Sequence, residues 1–172
     1  MKKMFLLVIS LLTLSITGYS FDTSALQISI WAPSAQVIPD DLDISGLKLN
    51  LPYGSNHKVT GLDLGIISRN TETSALQLNI ANVSIDKFSG LQAGLFNYSG
   101  ESSGVSIGVF YNAVESIGCG LSIALVNVSL EYRGVQIGIV NYTEFLTGFQ
   151  IGIINIVRNS QVPFFPIINF CF

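Results

Sequence analysis

The chain reads as an all-β protein of about ten short repeat strands, and an antiparallel outer-membrane-type β-barrel suits those strands best. Three observations lead there. A segment close to Gly-Leu-Gln-Ile-Gly-Leu-Val-Asn returns about every fourteen residues, most clearly at Gly90, Gly134 and Gly148. Within each copy, apolar and small polar residues alternate with the period of a strand. An apolar leader also precedes the repeats, which fits export.

The leader comes first. Lys2 and Lys3, the apolar run Met4 to Ile16 and the small-x-small triplet Gly18-Tyr19-Ser20 read as a signal peptide over residues 1–20. Cleavage after Ser20 leaves residues 21–172 as one repeat-built domain, and no Cys at that point supports lipid attachment. The apolar run is short of the ~20 residues that a spanning helix needs.

The repeats follow. Fainter copies start at Ala25, Gly46, Gly61, Ala75, Gly104, Gly120 and Val162. The first, third and fifth residues after each leading position are apolar, as in Val135, Ile137 and Ile139, and only Pro163 breaks the rule. Between them stands a small or polar position holding Gln27, Lys48, Asp63, Gln77, Gln92, Ser106, Ser122, Gln136 and Gln150. Gly65, Gly94, Gly108, Gly138 and Gly152 come two residues later, which points to scarce space on that face. Asn82, Asn97, Asn127, Asn141 and Asn155 are expected to end each strand and open a turn. The interval from Trp31 to Ser45, with Pro33, Pro39 and Asp40-Asp41, reads as a loop.

In a barrel, ten residues at about 3.3 Å each, tilted by roughly 40°, span an apolar band about 25 Å tall. The Leu/Ile face would then meet lipid. Gln27, Lys48, Asp63, Gln77, Gln92, Gln136 and Gln150 would fill a narrow lumen. The final residues Phe164 to Phe172 resemble the last strand of exported barrels, although Phe170 and Phe172 fall on the Gln parity unless the strand slips near Pro163 or Pro166. The alternative is a β-solenoid with Leu and Ile in a dry core and the Gln residues as an outer polar face. It would leave Phe96, Val126, Val140 and Ile154 in water. An open sheet is the third possibility.

Composition narrows the functional classes. Charged residues are 11% of the chain against 49% hydrophobic, where about 25% charged is ordinary. Without Lys2 and Lys3, six of the eight basic residues face eleven acidic ones, so the formal net charge moves from −3 to −5. Nucleic acid is a poor partner for such a surface, and membrane lipid a good one. No catalytic residues, metal ligands or cofactor are expected. His57, the one histidine, sits in the polar run Tyr53 to Lys58, without ligand spacing around it. Asp40, Asp41 and Asp43 lack the pattern of a calcium loop, and the glycines precede no helix or Gly-Lys-Ser/Thr.

Smaller signals have two readings each. Asn82, Asn97, Asn127 and Asn141 open formal glycosylation triplets, but the repeat itself explains them. Trp31, Tyr53, Tyr98, Tyr111, Tyr132 and Tyr142 could form an interfacial girdle or pack as ordinary edge residues. Cys119 and Cys171 could pair in an oxidising compartment or stand as two small unpaired residues.

The order of motifs also carries a resemblance. Gln27 to Pro33, Ser45 to Gly54 and Gly61 to Gly65 precede the repeats, and Pro163 to Phe170 closes them. This arrangement resembles a family of bacterial surface-repeat proteins found in spirochaete genomes, over nearly the whole chain after the leader. The resemblance implies an exported envelope or surface protein, with no activity or catalytic residues to carry over. Departures include Tyr53 and Ser68 where later units have Asn, Ala124 where Gly is usual, and an extra residue at Tyr111-Asn112. The expected function is therefore a structural or surface-interaction role at the outer membrane. A narrow pore and a secreted adhesive solenoid are the alternatives.

Overall fold

The computed structural model describes residues 23–172, so the expected leader lies outside the described residues. The described chain is all-β, as the alternation predicts, with no helix among the described residues. Its strands are β1 (Thr23–Trp31), β2 (Ala35–Gln36), β3 (Asp43–Ile123), β4 (Val126–Ile137), β5 (Val140–Val157) and β6 (Phe164–Cys171). They form one open mixed sheet in the order β2-β1-β3-β4-β5-β6.

Strand β3 is 81 residues long. Drawn straight it would reach about 270 Å at ~3.3 Å per residue, and it does not run straight. It winds past itself, so that Gly61 lies against the carbonyl of Gly46, Gly104 against that of Gly90, and Gly120 against that of Gly104. From there the pairing is explicit. Strand β4 lies parallel to the end of β3, with Gly120 opposite Gly134 and Ser122 opposite Gln136. Strand β5 lies parallel to β4, with Gly134 opposite Gly148 and Gln136 opposite Gln150.

The antiparallel pairing expected between neighbouring units is therefore replaced by parallel pairing. The reason is the number of bends per unit. The expectation allowed one strand and one reversing turn. Within one unit the alternation of buried and open side chains instead breaks at Gly138–Val140, at Glu144–Phe145 and at Thr147–Phe149. Each break turns neighbouring side chains outward together, as at a corner. After such a circuit the chain arrives beside its own start, heading the same way. Backbone pairing continues through the bends: Gly138 N–H donates to Ile151 O at 2.9 Å and Ile139 N–H to Leu125 O at 2.9 Å.

Among the described strand pairs, the antiparallel ones, β1 with β2 and β5 with β6, stand at the two ends. The short β2 pairs with β1; it lies inside the interval from Trp31 to Ser45 expected as loop, and β3 already begins at Asp43. Strand β6 runs back along β5, with Phe149 opposite Phe170 and Ile151 opposite Ile168. Its register shifts at Pro166, next to Ile167 at φ 71°. That shift answers the parity of the terminal aromatics: Phe170 and Ile168 stand with the outward aliphatic residues.

Sidedness is the main finding. The Leu/Ile positions face outward, with Leu78 at 42% and Ile151 at 40% exposure, while Gln77 and Gln150 are fully buried. Half of the buried apolar residues, Ile44, Val59, Phe88, Tyr132 and Leu146, stand two positions before a leading Gly. The outward aliphatic face belonged to the barrel expectation and the parallel stacking to the solenoid one.

Candidate functional site

The interior is a polar lattice. All seven residues expected to line a lumen or an outer polar face, Gln27, Lys48, Asp63, Gln77, Gln92, Gln136 and Gln150, are at most 1% exposed and stand in one inward column. None lies on an outer face. Bonds run along the column and to its neighbours. Gln150 Nε2 donates to Gln136 Oε1 at 2.9 Å, and Gln92 Nε2 to Ser106 Oγ at 2.8 Å. Gln27 closes the first unit by donating to Ile38 O at 2.7 Å and accepting from Ile38 N–H at 2.8 Å.

A second column is built from asparagine. Each carboxamide donates to the next: Asn82 to Asn97, Asn97 to Asn112, Asn127 to Asn141 and Asn141 to Asn155, every one at 2.8 Å. The link from Asn112 to Asn127 is longer, at 3.3 Å, where the extra residue at Tyr111-Asn112 disturbs the repeat. Most of these Nδ2 groups also donate to a backbone carbonyl of the following unit, as Asn127 does to Ile137 O at 2.9 Å. These asparagines were expected as solvated turn residues. They are buried because the corner at the preceding Gly or Ala brings their parity inward. Burial also closes their triplets to glycosylation in the folded chain.

The lattice holds one charged knot, in the early units. Asp63 accepts from five side chains: Asn50 Nδ2 at 2.6 Å and Asn79 Nδ2 at 3.3 Å on Oδ1, then Ser68 Oγ at 2.6 Å, Asn70 Nδ2 at 3.1 Å and Gln77 Nε2 at 3.0 Å on Oδ2. Lys48 Nζ donates to Ser68 Oγ at 3.2 Å and to Asn70 Oδ1. Sequence reasoning found Lys48 and Asp63 but missed Asn50, Ser68 and Asn70. The signal was present: each departs from the consensus of its own position.

Burial pushes the Lys48 ammonium down to about 8 from 10.5, and the Asp63 carboxylate opposes that shift. Between those two values the unfolded chain holds a proton that the folded chain has released, so stability rises with pH there. The midpoint of urea unfolding is expected to climb between about pH 8 and pH 10, by ~1–3 kcal/mol in stability. Beyond pH 10 the gain reverses, because burial raises the Tyr132 phenol and disfavours the phenolate that the unfolded chain forms. Lys48→Met should flatten the climb; a climb that survives in that variant would assign it to another group.

The remaining sequence candidates lie outside the lattice. His57 Nδ1 is 3.0 Å from Asp43 Oδ1 on the exterior, and Lys58 pairs with Glu72 at 3.2 Å, each joining adjacent units. Such exposed pairs contribute little. Among the described residues no three His, Cys, Asp or Glu side chains converge as metal ligands. Of the aromatic residues, Tyr98, Tyr111 and Trp31 are exposed, whereas Tyr132 is buried against Leu146 and Val157. Cys119 stands opposite Arg133, Arg133 opposite Thr147, and Cys171 opposite the adjacent Gly148. Three strand spacings of ~4.8 Å put the two thiols far beyond the ~7 Å reach of a disulfide, and both are free.

No protein-family model, curated protein or solved structure matches this chain. The lattice can fill space, bond to itself and fix register.

Proposed function

We propose that this is an exported envelope protein held at the outer membrane or cell surface by its apolar exterior, with a structural or surface-interaction role and no catalysis. The observation that carries the reading is the inversion of burial: amides inside, aliphatic side chains outside. Water makes that arrangement costly, since each exposed Leu or Ile forfeits up to about 1.5–3 kcal/mol of transfer free energy. Hydrocarbon removes the cost. The outward aliphatic residues and the leader expected from the sequence point the same way, as does the resemblance to surface-repeat proteins.

A closed antiparallel barrel and a parallel stack both turn these residues outward. The register of β4 on β5 supports the stack. The pore reading needs water along the Gln column; that column bonds to itself at Gln150–Gln136, Gln92–Ser106 and Gln77–Asp63, which favours a filled interior, while Gln77, Gln92 and Gln150 each keep a buried Oε1 without a protein partner.

The test is detergent phase partitioning of the envelope fraction after high-salt and carbonate washes. The protein is expected to stay with the washed membranes and to enter the detergent phase. Release into the wash and the aqueous phase would overturn the lipid reading and leave a secreted module.

A further inference from the structure

The outward positions are not equivalent around the stack. In every unit from Ala25 to Gly148 the first, third, fifth and sixth residues after the leading position stand on one side and its adjoining corner. None of them carries a charge or a carboxamide, from Leu26 and Ile28 through Leu78 to Ile151 and Ile154. The charges gather elsewhere. Glu72, Asp86, Glu101, Glu131, Arg133 and Arg158 all stand at the second corner of their units or after it, on the other flank. Among the described residues, Lys48 and Asp63 inside the lattice, Asp40-Asp41 in the end loop and Arg69, exposed between the first and second corners, depart from that division.

We infer that the protein lies on lipid along this one flank, with its long axis in the membrane plane and the charged flank in water. The inference rests on the lipid reading above and adds which side is immersed. Three observations choose hydrocarbon over a protein partner. Protein interfaces are about 56–65% apolar and carry about ten hydrogen bonds, and the side chains of this flank offer no amide or charge to form them. Backbone groups are paired from unit to unit, even at the bends, as hydrocarbon requires. Finally, Tyr98 and Tyr142 stand two residues past the last apolar position of their units, and the Tyr98 hydroxyl donates to Glu115. An aromatic residue with a wet polar tip belongs at a lipid–water boundary.

Brominated phosphatidylcholine vesicles test this. Trp31 is replaced by Phe to remove the native indole. A single Trp is then placed at Leu78, in the middle of the apolar flank, or at Phe145, on the charged flank and 53% exposed. Circular dichroism checks that both variants fold. Bromine is expected to quench Leu78→Trp at least threefold more than Phe145→Trp. Equal strong quenching would keep the lipid reading and overturn the one-flank inference, as immersion all round would produce. Quenching of neither would overturn both, and a dimer in sedimentation would then assign the flank to a second copy.

Discussion

Replacing Asp63 by Leu is expected to destabilise the protein by about 3–5 kcal/mol, the range for leaving a buried charge uncompensated, since Lys48 reaches Asp63 through Ser68 and Asn70. Five donors converge on that carboxylate, and Lys48 is buried in the neighbouring unit of the same column. Removing the carboxylate leaves a buried ammonium with only neutral acceptors, Ser68 and Asn70. Asp63→Asn should lose nearly as much, because the shape survives and the charge does not. The informative variant is double. Lys48→Gln with Asp63→Gln restores an uninterrupted glutamine column from Gln27 to Gln92, and uncharged replacements of buried pairs are often neutral or stabilising. It should recover all but about 1 kcal/mol of the loss, so the cycle shows a strong coupling. Urea unfolding in detergent, followed by Trp31 fluorescence and circular dichroism, measures it. Additive single effects would show that the two charges act independently.

Gly134→Ala is expected to cost about 2–6 kcal/mol, combining backbone strain of ~1–3 kcal/mol with forced separation of packed units of similar size. Gly134 sits at φ 135°, and a Cβ there would run into the carbonyl oxygen and backbone of Gly120. The same residue is paired with Gly120 on one side and Gly148 on the other, so relief toward one neighbour strains the other. Val135→Ala, one position along and facing outward, is the control and should stay within about 1 kcal/mol in detergent. Equal losses in the two variants would mean that Gly134 is chosen for something other than space.

Much of this was legible in the residues, and the reason lies in which patterns survive folding. Alternation is local, so strands, a shared Leu/Ile face and the shared column of Gln27 through Gln150 could be read directly, while the choice of which face turns outward stayed open between barrel and solenoid. The direction of pairing is not local. It depends on whether a unit turns once or several times, and a corner at Gly138–Val140 leaves little trace beyond two adjacent apolar residues. That missed corner displaced the asparagines: Asn127 and Asn141 have the chemistry of turn residues, and their inward parity follows only from the bend before them. Tyr132 was misread for a related reason. Its place two residues before Gly134 is the inward position that Phe88 and Leu146 also occupy, visible only once units are superposed.

The in-register pairing of β4 on β5 has a consequence for heredity. Each circuit presents to the next the same bonds that it receives, Asn127 to Asn141 and Asn141 to Asn155. A gene that gains or loses one such circuit by in-frame exchange alters the length of the molecule and leaves every junction chemically intact. The knot of Lys48 and Asp63 and the reversed strands β2 and β6 are the places where such an exchange would be felt. Between Gly120 and Val157, where the circuits match residue for residue, such an exchange leaves the junctions alike.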